Sequence, residues 1–392
     1  MSAVIEVTTV DPGLLADIQR FGAADVSACF SCGNCSAICP LSNNDGTFPR
    51  RMIRYGQVGL RDELLGSKEL WACYHCGLCS ESCPQRADPG EYMAVARRYA
   101  IASYDRTGIA RALYVHPAVG SGVLVALAAA FATFFTLMSG AEPRQSLRLF
   151  SFLPDGVVHW TGVAVMIAVV LVALAGVSTM VHGLARREGV HGRDLVVGIA
   201  SWRRAWRGAW SAVAVESLGQ KRFRDDCADA DPAEHWYEKR WIVHATVMWG
   251  FIGLLVATML DYGLSLAGVR ATGTPEPLWY PVRLLGSVAG LAMVAGVTTM
   301  IVSRLRHSNQ ASAFSHQSDW VFLTLLWVVG VSGLLTELAL YLPGAPTWGY
   351  WMFVAHVSLA MELLVLVPFM KFAHVIYRPI ALFFQSLAST TV

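Results

Sequence analysis

Cys29-Phe-Ser-Cys32-Gly-Asn-Cys35-Ser-Ala-Ile-Cys39-Pro40 is followed by a second copy, Cys73-Tyr-His-Cys76-Gly-Leu-Cys79-Ser-Glu-Ser-Cys83-Pro84. Both read C-x2-C-x2-C-x3-C-P, the spacing that holds cubane iron–sulfur clusters. Three thiolates at this spacing reach three corners of one cube. The fourth, turned away before its proline, reaches the neighbouring cube. The pattern therefore predicts two [4Fe–4S] clusters, one on Cys29, Cys32, Cys35 and Cys83, the other on Cys73, Cys76, Cys79 and Cys39. Zinc and disulfides are the alternatives, but zinc sites seldom take four cysteines within so short a run.

Working outward, residues 1–115 form a small, mainly helical region with the cysteine runs in its turns. Asp88-Pro89-Gly-Glu91 opens a helix as N-cap, first-turn proline and third-position glutamate, which predicts a capping box. Eight of the nine cysteines in the chain lie in the two runs, a usage that calls for a reducing compartment. Met1–Gln19 contains acids and Pro12 instead of the apolar core of a signal peptide, so this region is expected in the cytoplasm. The net charge of +2 suggests no nucleic-acid partner.

Residues 116–392 have a different character, and they raise the apolar share of the 392-residue chain to 55%. Six stretches are long and apolar enough to cross a bilayer: about Ala118–Ser139, Val157–Val181, Trp241–Leu260, Leu284–Ser303, Trp320–Leu342 and Trp348–Met370. The loop over residues 184–240 is rich in arginine and lysine, as are the flanks at Arg304 and Arg306. The positive-inside rule then places both chain ends in the cytoplasm, with the protein multi-pass in the inner (cytoplasmic) membrane. Trp202, Trp206 and Trp210 recur every four residues beside Arg203 and Arg207, which predicts an amphipathic helix in contact with membrane lipid.

Histidines within spans call for partners. His356 and His374 are separated by five helical turns, which on one continuous helix puts them on a shared face about 27 Å apart. That suits axial ligands of two stacked b haems. His244, at the inner start of the third span, is expected to join His374 on the inner haem. Glu362 near mid-membrane, Glu337 and Asp261 towards the outer side are quinone or proton-transfer candidates.

Cys run, helix, Leu-Trp71-Ala-Cys73, second Cys run and Asp88-Pro89 together resemble the two-cluster electron-transfer component of heterodisulfide reductases. The resemblance implies an α-helical ferredoxin fold with the eight cysteines as cluster ligands. No adjacent Cys-Cys pair occurs, so the disulfide-reducing centre of that system is not expected here. Met352 to His374 is similar to the last helix of the haem-b component of respiratory nitrate reductases. In that family a second histidine follows ten residues after the one matching His244; here the position is Leu254. His159, near the outer start of the second span, is the expected substitute partner for His356. The combination looks like the haem-bearing membrane component of quinone-interacting membrane-bound oxidoreductase complexes. That implies cytoplasmic flavoprotein subunits as partners, menaquinone or ubiquinone as substrate, and a link to adenylylsulfate reductase in dissimilatory sulfur metabolism. The expected fold class is all-α: a two-cluster ferredoxin head on a six-helix transmembrane haem b bundle, forming an electron wire without a substrate-cleaving site. A membrane anchor for another dehydrogenase module and a membrane redox sensor are the other readings.

Overall fold

The computed structural model describes residues 9–22, 25–44, 47–143, 146–187, 202–227, 235–269, 276–307 and 314–388. Every regular element among them is helical. Six helices are long and apolar enough to cross a membrane: Pro117–Met138, Asp155–Arg187, Arg240–Leu266, Pro281–Leu305, Gln317–Tyr341 and Trp348–Leu366. They correspond to the six predicted stretches.

The two cysteine runs fold as copies of one another. Gly33 and Gly77 take φ of 92° and 94°, and Ser31 and His75 take φ of 62° and 56°. The short helices Asn34–Ile38 and Leu78–Glu81 start directly after the two glycines. A left-handed residue at each matched position is what glycine accommodates without strain, and it turns the chain sharply around the sulfurs.

The helix Pro89–Tyr104 forms the spine of this region. Asp88 caps it, accepting from the Glu91 amide at 3.1 Å. The predicted capping box is only half made, because the Glu91 carboxylate turns to Arg98 at 2.9 Å instead. Burial explains the choice: Glu91 and Arg98 are each 7% exposed, and a buried charge needs its counter-ion more than a cap needs a second bond.

The N-terminal region shares one core with the span ends next to it. Trp71, Tyr104 and Tyr377 pack with ring centres 5.1–6.4 Å apart, and none is more than 2% exposed. Met180, Leu184, Leu366 and Phe369 join the same cluster. Each fully buried ring contributes roughly 2–3 kcal/mol, so the junction is held like a core rather than a transient contact. The second span is 33 residues, about 50 Å long, and outruns the roughly 30 Å hydrocarbon layer. Its surplus reaches the N-terminal region, where Arg187 donates to the Tyr55 hydroxyl at 3.1 Å and also to Ser67 and the Glu63 carbonyl.

A charged clamp reinforces the junction. Asp319 meets Lys371 at 2.7 Å, with Arg98 and Arg304 each at 3.9 Å. Its carboxylate also accepts from the His316 amide, closing a capping box at the start of the fifth span.

The sixth span corrects the sequence reading. The helix ends at Leu366, turns through residues 367–370, makes a short 3-10 segment at Lys371–Ala373, and restarts as His374–Ala388. Pro368 sits in the break, where it can neither donate a helical hydrogen bond nor clear the preceding carbonyl. His356 and His374 therefore lie on separate helices, and the five-turn register does not place them on one face.

Candidate electron-transfer site

Both cysteine runs contribute to each of two sulfur groups. Burial raises the Cys35 thiol, and the neighbouring sulfurs Cys29, Cys32 and Cys83 push it further. Cys39 is pushed up to about 12, by burial first, with Cys73 and Cys76 adding to it. Cys79 is raised by burial, then by Cys73, Cys76 and Cys39. Cys35 of the first run also acts on Cys79, so the two groups lie close to one another, and Cys39 lines one pocket with Cys73, Cys76 and Cys79. All eight cysteines are free thiols rather than disulfides. Among the described residues no three histidine, cysteine or acidic side chains converge as they would on a single metal ion. A shell of four sulfurs from both runs around one pocket suits an iron–sulfur cluster. That pocket, around the second group, is lined by Cys39, Cys73, Cys76 and Cys79, with Met93 and Phe48 closing it. The His75 amide points at Cys73 Sγ, 3.3 Å away, a contact that favours thiolate over thiol.

At the membrane end, His244 on the third span faces His374 across 6.4 Å between ring centres, with planes at 61°. Two imidazoles that share one metal between them hold their centres roughly 6 Å apart. The His374 Nδ1–H donates to the Lys371 carbonyl at 2.7 Å, which leaves Nε2 free to ligate. Lys371 is itself fixed by Asp319. His244 Nδ1 is buried with no hydrogen-bond partner among the described residues. A buried imidazole with an unpartnered ring nitrogen, set against a second imidazole that Phe372 flanks, fits a haem iron.

A chain of contacts connects this pair to the second sulfur group. Tyr74 lies between Cys73 and Cys76 and stacks on Phe223, with ring centres 5.5 Å apart and planes 1° apart. Phe223 meets His244 edge-on at 5.6 Å. From the other side Arg378, one turn after His374, covers the Tyr74 ring at 4.2 Å and donates to the Cys73 carbonyl at 3.3 Å. Glu216, on the π-helix Ser211–Leu218, accepts from the Tyr74 hydroxyl at 3.3 Å. Tyr74, Phe223 and Arg378 are absent from the sequence prediction. The i, i+4 spacing of His374 and Arg378 was readable, whereas Phe223 lies on the short helix Lys221–Cys227, whose approach only the fold shows.

The other expected ligands are not brought together. His159 stacks on Tyr262 at 4.8 Å, with its Nε2 3.2 Å from the Tyr262 hydroxyl. His356 Nδ1 lies 3.1 Å from both the Val329 carbonyl and Ser332 Oγ on the fifth span. Both rings are thus engaged with neighbouring groups, each with its own partners. Leu254 packs toward Gly290 as part of ordinary helix packing. Glu337 is tied to Arg283 at 3.0 Å and to Ser287. Glu362 is 4% exposed within the sixth span, and Asp261 is half-buried at the outer end of the third. Trp202, Trp206 and Trp210 are 72%, 58% and 59% exposed along the helix Trp202–Trp210.

Comparison with known proteins places two families on these two regions. The 4Fe-4S dicluster domain matches residues 25–87. The family described as citrate utilization protein B matches residues 148–390. The citrate utilization protein B of Escherichia coli is 26% identical over 154 residues, spanning 39% of this chain and 38% of that protein. No solved structure matches the chain.

Proposed function

The chain belongs to the citrate utilization protein B family, and from that premise we propose that it passes electrons between a quinone in the membrane and a soluble oxidoreductase. A multi-pass membrane protein with a 4Fe-4S dicluster domain is built for electron transfer. The quinone-linked reading is carried by the contact chain Cys73–Tyr74–Phe223–His244–His374. It joins the second cysteine run to the histidine pair through side chains in contact.

His244 and His374 would hold one b haem, which when bound supplies a one-electron carrier. Lys371 fixes the His374 tautomer, and Arg378 and Phe223 hold the ligand pair against the cluster loop. With this pair at the inner end of the bundle, quinone exchange belongs near the inner membrane surface. The arginine-rich inner loop supports a cytoplasmic N-terminal region in a cell's inner membrane.

For the soluble partner we infer a flavoprotein subunit. Its substrate has two readings: adenylylsulfate reductase chemistry, carried by the sequence resemblance, and oxidation or reduction of a tricarboxylic acid. The second is favoured by the family, whose name refers to citrate utilization. Purified full chain tests the haem assignment: an absorption spectrum should show one low-spin b haem. His244→Ala and His374→Ala should each lose it, while His159→Ala and His356→Ala should keep it. Loss in the latter pair with retention in the former would overturn the assignment.

A further inference from the structure

The two cysteine runs are copies in sequence and backbone but opposites in environment. In the second run no residue from Cys73 to Ser80 is exposed. The membrane part covers it: Phe223 on Tyr74, Arg378 over the ring, and Glu216 on the hydroxyl. In the first run the residue matching Tyr74 is Phe30, which stands 63% exposed. Cys32 beside it is exposed, Ile38 on the following helix is 44% exposed, and Asn34 and Ala37 are exposed as well. Arg50 donates to the Ser31 carbonyl at 3.4 Å and braces the loop from behind, so the aromatic is presented on a held backbone.

We propose that Phe30, with Ile38 and the loop around Cys32, is the docking point for a soluble flavin-bearing oxidoreductase. The inference deepens the electron-transfer reading and rests on it. The occupant follows from the paired architecture. In the covered copy, the aromatic between the first two cysteines is seated against the module with which that cluster exchanges electrons. The bare copy offers the same aromatic, at the same place, on the cluster remote from the haem ligands. Clusters take electrons singly, whereas organic substrates exchange them in pairs, so the partner needs a flavin to convert between the two. A patch of this size suits the small, short-lived interface typical of electron-transfer partners. Truncating a central aromatic in such a patch is the most damaging single change.

The test uses the full chain in membranes of its own host. The photo-cross-linker p-benzoylphenylalanine is placed at position 30, and at exposed Val10 as the control. The expected result is a cross-link at position 30, and not at position 10, to a flavin-containing oxidoreductase. With that partner purified, Phe30→Glu should slow its reduction of the clusters at least tenfold, and Phe30→Leu by less than threefold. Dithionite should still give both cluster signals in either variant, which shows that the head is folded. A cross-link only to lipid, to a second copy of this chain or to nothing would overturn the proposal. So would partner-driven reduction within twofold of wild type in Phe30→Glu. Failure of the underlying electron-transfer reading would show separately, as absent cluster signals in the unmodified chain.

Discussion

Arg98→Met removes the cation at the centre of the junction. In the native chain the Arg98 guanidinium donates to the Phe21 carbonyl at 2.8 Å and to Glu91 at 2.9 Å, and lies 3.9 Å from Asp319. Asp319 keeps Lys371 at 2.7 Å, so its loss is small. Glu91 has no such reserve, and breaking a buried pair from one side costs about 3–5 kcal/mol. The orphaned Phe21 carbonyl adds about 1 kcal/mol. The expected total is about 4–6 kcal/mol, or a fall in thermal midpoint of roughly 10 °C for the detergent-solubilised chain followed by cluster absorbance. The pH dependence has a definite sign. Burial already raises the Glu91 carboxyl above its ordinary range while Arg98 pulls it down, so removing Arg98 raises it further. A carboxyl raised in the folded state costs stability when ionised and recovers it once protonated. The deficit should therefore be largest near pH 8 and shrink toward pH 5. The double variant Glu91→Gln with Arg98→Met should recover at least half of the loss at pH 8. A midpoint change below 2 °C, or a deficit that grows on acidification, would refute this reasoning.

Cys39→Ser should damage the cluster on Cys73, Cys76 and Cys79 and spare the other, read as loss of one of two EPR signals; damage confined to the Cys29 cluster would refute the crossed sharing. Phe223→Leu should slow electron exchange between cluster and haem at least tenfold in stopped-flow absorbance, with haem content unchanged, and Phe223→Tyr should restore most of it. Gly250→Val should separate the third and fourth spans, because a Cβ there meets the Met293 amide at 2.7 Å and the Ala289 carbonyl at 2.8 Å; a midpoint fall of several degrees is the expected reading, and no change would contradict the packing.

The six spans and the doubled cysteine run were legible because each rests on local composition or spacing. The span limits differ from the helices mainly where a helix outlasts the bilayer, as the second does at Arg187, since hydropathy reports lipid contact and not helix length. The inner histidine pair was legible from depth alone. The outer pair was not: depth cannot tell which rings face one another, and His159 faces Tyr262 while His356 faces the fifth span. The broken sixth span could have been foreseen from Pro368, whose cost in a helix interior outweighs the apolar continuity around it. The Tyr74–Phe223 bridge was beyond reach, because it joins a cluster loop to a segment far along the chain.

The proposed route carries electrons between membrane and clusters through the His244–His374 pair. Its most direct measurement is reduction of the clusters by a quinol analogue in the full chain, wild type against His374→Ala, followed by EPR. In His374→Ala both clusters should stay reducible by dithionite while quinol reduces neither. Quinol-driven cluster reduction at the wild-type rate in that variant would contradict it.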